Sequence, residues 1–225
     1  MSHSTLAAWR DAALSAGNTV FHSSLPFFAL MENSPKPGQP DWGEMACFKR
    51  INNGEGILTY LSLVDAALDQ HILNSGGRNY RIVPFETIDP RHIISSHDNW
   101  LTVYSVYGFA ARSDQLLTDA KGKLQALSHA THFHIAPELA EHFHLSFGQQ
   151  AIDWLDTLHR TADIPDYARM TEDLAGSTTA EIERHAQDAL RKADTTQGGS
   201  EHVTQCALFD TVEGRWRFAA INDLP

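Results

Sequence analysis

The sequence contains only two cysteines, Cys47 and Cys206, and far fewer basic than acidic residues. Two cysteines are too few for a disulfide framework or a cysteine-based zinc site, and they favour a reducing compartment. Lysine and arginine number 17 against 28 aspartates and glutamates, which gives a formal net charge of −11. Because nucleic acids are bound by cationic side chains that neutralise phosphates, we expect no nucleic-acid partner. The acidic surface favours a basic protein partner instead.

Long apolar runs and several common motifs are also absent. The longest apolar candidate, residues 25–31, is much shorter than the stretch that a membrane span needs, so we expect no membrane association. Trp9, Arg10 and Asp11 stand where a signal peptide would have its apolar core, which predicts a cytoplasmic protein. The sequence has no Gly-rich phosphate loop, H-E-x-x-H, G-x-S-x-G or C-x-x-C motif. The commonest nucleotide, zinc-protease, serine-hydrolase and redox mechanisms therefore have no support here.

Strand and hairpin signals dominate the first two thirds of the chain. Residues 100–111, rich in aromatic and β-branched side chains, predict a central strand. Segments typical of turns at 52–56, 119–122 and 210–214 each lie between apolar runs and predict three hairpins. Helical spacing then predicts helices over 62–75, 149–161, 166–174 and 178–193, the last with a capping box of Thr178 and Glu181.

These elements predict one α+β domain that spans residues 1–225. Its parts are a sheet-rich region at 1–147, a helix-rich region at 148–194 and a closing hairpin at 202–221. We expect an antiparallel or mixed sheet built from several hairpins, with a helical layer of residues 149–193 packed on one face. An apolar fraction of 42% over 225 residues is enough to form a core without disulfides or metals.

Residues 128–148 hold five of the thirteen histidines. A short strand over 131–135 would project His132 and His134 from the same face, because the side-chain period of a strand is two. Together with Glu138 they form a ligand set that suits zinc or iron, so either metal is a possible cofactor. His129, His142 and His144 are further candidate ligands. A simpler interpretation is that the alternating apolar residues of this stretch build the fold and the histidines occupy the other face.

The spacing H-x-H-x₃-E of His132, His134 and Glu138 resembles the first metal motif of the cupins. The resemblance covers about seven residues and implies a metal bound by those three side chains. Ala126 and Leu145 stand where that motif has its flanking glycines, and the second cupin motif is absent downstream.

Two H-x-T tripeptides, His129-Ala130-Thr131 and His202-Val203-Thr204, resemble the paired motifs of the 2H phosphoesterases. In that family the two histidines face each other across a cleft as general base and general acid, and each threonine holds a phosphate oxygen. The resemblance therefore implies catalytic roles for His129, Thr131, His202 and Thr204.

Two functions are compatible with these patterns. The first is a non-catalytic interaction or regulatory protein that binds a protein partner through acidic residues of its helical region, which are Asp153, Asp156, Asp163, Asp166, Glu172 and Asp173. The alternative is a metal-dependent or histidine-based hydrolase, similar to a phosphoesterase, that uses the histidines of 129–144. The sequence leaves substrate, partner and oligomeric state open.

Overall fold

The fold is taken from a computed structural model that describes residues 21–23, 25–33, 44–46, 48–51, 54–88, 94, 98–136, 143–145 and 147–223. The helical spacing of Leu6, Trp9, Ala13 and Leu14 also predicts an opening helix at 4–16, which lies outside this range. In the first half the elements are β1 (Phe21–Ser23), β2 (Phe28–Asn33), β3 (Glu44–Ala46), β4 (Phe48–Ile51), β5 (Gly54–Tyr60), α1 (Leu63–Ser75) and β6 (Tyr80–Pro84). They continue with β7 (Trp100–Arg112), β8 (Gln115–Thr118), β9 (Ala126–His134), β10 (Phe143–Leu145), α2 (Gln149–Thr161), α3 (Tyr167–Ala175), α4 (Thr179–Arg191), β11 (Thr195–Gln197), β12 (Gln205–Asp210) and β13 (Arg215–Ala220).

Strand β7 is central to the sheet, as its sequence predicts. It pairs antiparallel with β8, β9 and β12, and parallel with β5. Through β5 the sheet continues to β2, β3, β4 and β6, while β1 and β10 pair separately with each other. The α+β class with a mixed sheet is therefore confirmed.

All three predicted hairpins are present. Strands β4 and β5 pair antiparallel around 52–53, and β12 pairs with β13 around the turn that ends at Gly214. The middle one joins β8 to the segment before β9: Thr118 and Leu124 pair in an antiparallel bridge, and the Gln125 N–H donates to the Leu117 carbonyl at 3.1 Å. Strand β8 also pairs with β7 across a two-residue turn at Ser113 and Asp114, a further hairpin that the sequence analysis does not predict. Both turn residues have positive φ, 51° and 60°, which a type I′ turn requires and which Asp tolerates better than most residues.

The helices begin where the sequence places their caps. Ser62 Oγ accepts hydrogen bonds from the backbone N–H groups of Val64 and Asp65 at the start of α1. At the start of α4, Thr178 and Glu181 form the predicted capping box. Each cap satisfies N–H groups that have no partner within the helix.

The helices divide between the two faces of the sheet, which refines the single layer expected from sequence. Helices α1 and α4 pack on the face that carries Tyr104 and Val106 of β7, here called the α1 face. Helix α2 packs on the opposite face, here called the α2 face, against Leu101 and Val103 in one cluster and against residues of β12 in another. Successive β7 side chains alternate between the faces, so the sheet is buried on both sides.

Strands β5 and β12 pair with the same edge of β7 and meet near its middle. The β5 pairing ends where the Leu61 N–H donates to the Val106 carbonyl at 3.1 Å, and the β12 pairing begins with Ala207 opposite Phe109. Tyr107 and Gly108 lie between these two contacts. The β7–β9 ladder is also irregular between Val106 and Gly108. Leu61 and Tyr107 at this junction line the candidate functional site.

Candidate functional site

A cavity of about 740 Å³, here called the outer cavity, opens on the α2 face between β7, β9 and α2. Its volume falls within the range that is usual for small-molecule sites. Most of its wall is apolar or aromatic, with a few polar side chains. The lining residues are Leu61, Val103, Ser105, Tyr107, His129, Thr131, Phe133, Phe147, Gly148, Gln150, Ala151, Trp154 and Leu155.

Strand register places the polar groups of this cavity on one wall. His129 lies opposite Ser105 and Thr131 lies opposite Val103 in the antiparallel β7–β9 pair. Directly opposed residues project to the same face of a sheet, so the Ser105 and Thr131 hydroxyls and the His129 imidazole share the cavity wall. Ser105 is buried, Thr131 half-buried and His129 exposed. The wall therefore offers hydrogen-bond donors and acceptors from the buried end of the cavity to its exposed end.

Aromatic side chains form much of the remaining wall. The Tyr107 and Trp154 rings lie nearly perpendicular, with centroids 5.0 Å apart and an interplanar angle of 87°. Phe147 contacts Phe27 edge to face at a centroid distance of 5.4 Å, which fixes it beside the first turn of α2. Edge-to-face packing of this kind holds the rings in defined orientations.

A second, much smaller cavity of about 10 Å³, here called the inner cavity, lies behind the outer one. Leu61, Tyr107 and Leu155 line both, so one layer of side chains separates the two spaces. The other residues around the inner cavity are Ser62, Asp65, His159, Tyr167, Met170, Leu208 and Phe209. Its volume is at the lower limit for one water molecule.

Asp65 is the most unusual group of the inner cavity. Its side chain is 3% exposed, and its Oδ2 atom has no hydrogen-bond partner in the structure. Burial raises the pKa of its carboxyl group from 3.8 to about 7, and the nearby negative charge of Asp69 adds to the shift. The sequence pattern predicts that Asp65 acts in the N-cap of α1, but Ser62 performs the capping and the Asp65 carboxyl points into the core.

His159 also faces the inner cavity, although its sequence position suggests a boundary or surface residue. It is 3% exposed, and its Nδ1 atom lies 3.2 Å from the Pro165 carbonyl oxygen, to which it donates. Burial lowers the pKa of the imidazole from 6.5 to about 4, so His159 is neutral near pH 7. Its position four residues after Leu155 continues the buried stripe of α2, which is the sequence signal for its burial.

Tyr167 connects α3 to the end of β5. Its hydroxyl donates to the Leu61 carbonyl oxygen at 2.8 Å, and its ring packs edge to face with His159 at 5.5 Å. Burial raises the pKa of this phenol above its ordinary value. The bond satisfies a carbonyl group at the point where β5 leaves the sheet, and both of its residues line the inner cavity.

No protein-family model matches the chain, and no curated protein or solved structure is significantly similar to it.

The predicted metal ligands His132 and His134 project from the same face of β9, as expected, but away from the outer cavity. Both are exposed, whereas Thr131 and Phe133, which alternate with them along the strand, are half-buried. His132 Nδ1 lies 3.0 Å from the Thr102 hydroxyl oxygen, and the His134 ring packs against Trp100 at 5.1 Å. Glu138 and His142 lie outside the described residues. Within the described ranges, no three His, Cys, Asp or Glu side chains are grouped closely enough to hold a metal ion, so zinc or iron binding stays a prediction.

The two H-x-T tripeptides do not come together. Thr131 lies opposite Val103 of β7, whereas the Thr204 N–H donates to the Ala111 carbonyl at the other end of that strand. Eight residues of extended strand separate these positions, which is about 26 Å. His202 sits in a short 3₁₀ turn, where its Nδ1 atom accepts from the Gly199 N–H at 3.2 Å. Of the predicted catalytic residues, only His129 and Thr131 line the outer cavity, because β12 pairs with β7 only at residues 109–111, beyond the part of β7 that lines the cavity.

The acidic residues of the helical region have mixed roles. Asp156 Oδ1 accepts from the Tyr167 N–H at 3.2 Å, and Asp166 Oδ1 accepts from the Arg169 N–H at 2.8 Å, so both carboxylates organise the start of α3. The remaining four acidic residues are exposed, namely Asp153, Asp163, Glu172 and Asp173. Binding of a basic protein partner through this surface stays a prediction. In the part of the chain that the structure describes, no helix is long and apolar enough to span a membrane.

Proposed function

We propose that this protein binds a small, largely apolar organic molecule in the outer cavity. The observation that carries the proposal is the cavity itself, with a volume of about 740 Å³ and a wall of aromatic and aliphatic side chains that includes a few convergent polar groups. Sites for small molecules commonly have this size and composition, because apolar contact supplies affinity and a few hydrogen bonds fix orientation.

The polar wall would orient the ligand. His129, Thr131 and Ser105 project from two strands that are paired along most of their length, so their spacing is set by the sheet rather than by a loop. A ligand that carries a hydroxyl, amide or similar group at one end would bond to this wall and place its apolar body against Trp154 and Phe147. The hydrolase alternative also centres on His129, the predicted catalytic histidine that lines this cavity.

Filling the cavity tests the proposal. Ala151 is exposed on α2 and lines the outer cavity, so the change Ala151→Phe places a bulky ring in the space without altering the core. The neutral fluorophore prodan serves as the probe, because its emission shifts to the blue in apolar surroundings. We expect wild-type protein to bind about one equivalent of prodan and the A151F variant to bind it at least tenfold more weakly.

The matched control is Ala180→Phe, which adds the same ring to an exposed alanine of α4 on the other face. This variant should bind prodan as the wild type does. Equal binding by all three proteins would place the probe elsewhere and overturn the proposal. Absence of prodan binding to the wild type, confirmed by calorimetry, would overturn it as well.

A further inference from the structure

We infer that the ligand of the outer cavity is an organic cation, a substituted ammonium group attached to an apolar body. The aromatic wall would hold this group, and the Asp65 carboxylate behind that wall would attract it. This inference rests on the proposed function and adds the chemical class of the ligand.

The first observation is the number and arrangement of aromatic rings. Among the described residues, four aromatic side chains line the outer cavity, which are Tyr107, Phe133, Phe147 and Trp154. The perpendicular arrangement of Tyr107 and Trp154 presents rings in two directions around the same space. Ring faces carry negative electrostatic potential and attract cations, and proteins recognise quaternary ammonium groups with rings arranged around the cation.

The second observation is the charge around the two cavities. Among the described residues, no lysine or arginine lines either of them, so an anionic ligand would find no fixed positive charge there. Asp65 lies behind Tyr107, Leu61 and Leu155, and its buried Oδ2 atom has no partner. A buried carboxylate with an unpartnered oxygen atom is costly, and a cation in the adjacent cavity would reduce that cost. The net charge of −11 also favours the approach of cations.

Protonation of Asp65 would then be linked to binding. The titratable groups near it are Asp69 on the same helix, Tyr107 on β7, His159 on α2, Tyr167 on α3 and Cys206 on β12. Burial keeps the tyrosines, the histidine and the thiol neutral near pH 7, and Lys123 Nζ lies 3.9 Å from Asp69 rather than beside Asp65. Because burial raises the Asp65 pKa to about 7, a bound cation should favour its ionised form and bind more tightly as the pH rises from 6 to 8.

The test measures displacement of prodan at pH 8 by two compounds of nearly identical shape. Benzyl(2-hydroxyethyl)dimethylammonium is the cation, and 3,3-dimethyl-4-phenylbutan-1-ol replaces its nitrogen with carbon. The anion 4-phenylbutanoate is the third competitor. We expect the cation to bind at least tenfold more tightly than the neutral alcohol and the anion to bind most weakly.

Two variants locate the source of the preference. Asp65→Asn should reduce the ratio of cation to alcohol affinities to below about threefold and remove its rise between pH 6 and pH 8. Trp154→Leu should reduce the same ratio, whereas Trp154→Phe, which keeps a ring, should retain part of it. Asp173→Asn, at an exposed position of α3, is the charge control and should leave the ratio unchanged.

The outcomes separate the inference from the proposed function. If the alcohol or the anion displaces prodan as well as the cation does, the outer cavity binds ligands and the inference about charge is overturned. A cation preference that D65N does not reduce would also overturn it. If neither prodan nor any competitor binds, the proposed function fails and the inference falls with it.

Discussion

Replacing Asp65 with asparagine is expected to stabilise the protein on the order of 4 kcal/mol at pH 8. The folded protein holds the pKa of this carboxyl near 7, against 3.8 for an unburied aspartate. The folded state therefore binds a proton that the unfolded state has lost, and stability falls as the pH rises from about 4 to about 7. About three pKa units at 1.36 kcal/mol each give the stated size. Asparagine is neutral and avoids this loss.

His159 changes the pH dependence of stability in the opposite direction to Asp65. Its pKa is lowered from 6.5 to about 4, so its contribution to stability is fully present above pH 6.5 and is lost as the pH falls towards 4. In the wild type the two effects largely cancel between pH 4 and 6.5. In the D65N variant the histidine acts alone, so the free energy of unfolding should rise by about 3 kcal/mol over that interval.

Urea unfolding at pH 4, 6 and 8, followed by tryptophan fluorescence, measures both effects. The D65N and wild-type proteins should be similar in stability at pH 4 and differ most at pH 8. Asp173→Asn is the control for loss of one negative charge at an exposed position, and it should follow the wild type throughout. A D65N protein no more stable than the wild type at pH 8 would contradict the burial of Asp65 in the apolar junction.

The second large effect is expected from Gly108→Ala, which should destabilise the protein by about 3 kcal/mol. Gly108 has a φ of 153°, which residues with a side chain rarely adopt. A Cβ atom at this position would lie 2.6 Å from the Cys206 sulfur and 3.0 Å from the Ala207 carbonyl oxygen. Strand β12 would have to move away from β7, and Leu208 would move with it at the edge of the inner cavity.

Gly176→Ala is the matched control. This glycine follows α3 and has an ordinary φ of −83°, and a Cβ atom added to it would meet no other atom within 4 Å. The free energy of unfolding in urea should change by less than about 0.5 kcal/mol in this variant. If G108A and G176A had equal small effects, the close approach of β12 to β7 at this point would be wrong.

Much of the fold follows from local sequence patterns. The aromatic and β-branched run of β7 predicts a central strand, and the pairing of that strand with four others confirms it. The capping box of Thr178 and Glu181 predicts the start of α4, and the structure confirms it. Each of these side chains bonds to the backbone N–H of the other residue, so the interaction is local in sequence. Interactions between neighbours in sequence can be read without knowledge of the tertiary structure.

Local patterns do not identify every packing partner. The turn residues at 119–122 predict the pairing of Thr118 with Leu124, but the sequence analysis does not predict that β8 also pairs with β7 across Ser113 and Asp114. Likewise, the periodicity of α2 and α4 identifies an apolar stripe on each helix but does not say which face of the sheet the stripe covers. Long-range packing decides both questions, so sequence patterns leave them open.

The features of the candidate site also fall into those that local sequence patterns predict and those that long-range packing decides. The sequence by itself identified His129 and Thr131 as candidate catalytic residues. It also determined that His132 and His134 project together from one face of a strand, because strand periodicity is a local property. Only the tertiary structure placed Ser105 and Tyr107 beside His129, set Thr204 beside Ala111 and away from the outer cavity, and buried Asp65 and His159 together. Those positions depend on where β5, β12 and three helices meet, and burial at that meeting point shifts the pKa values on which the predictions rest.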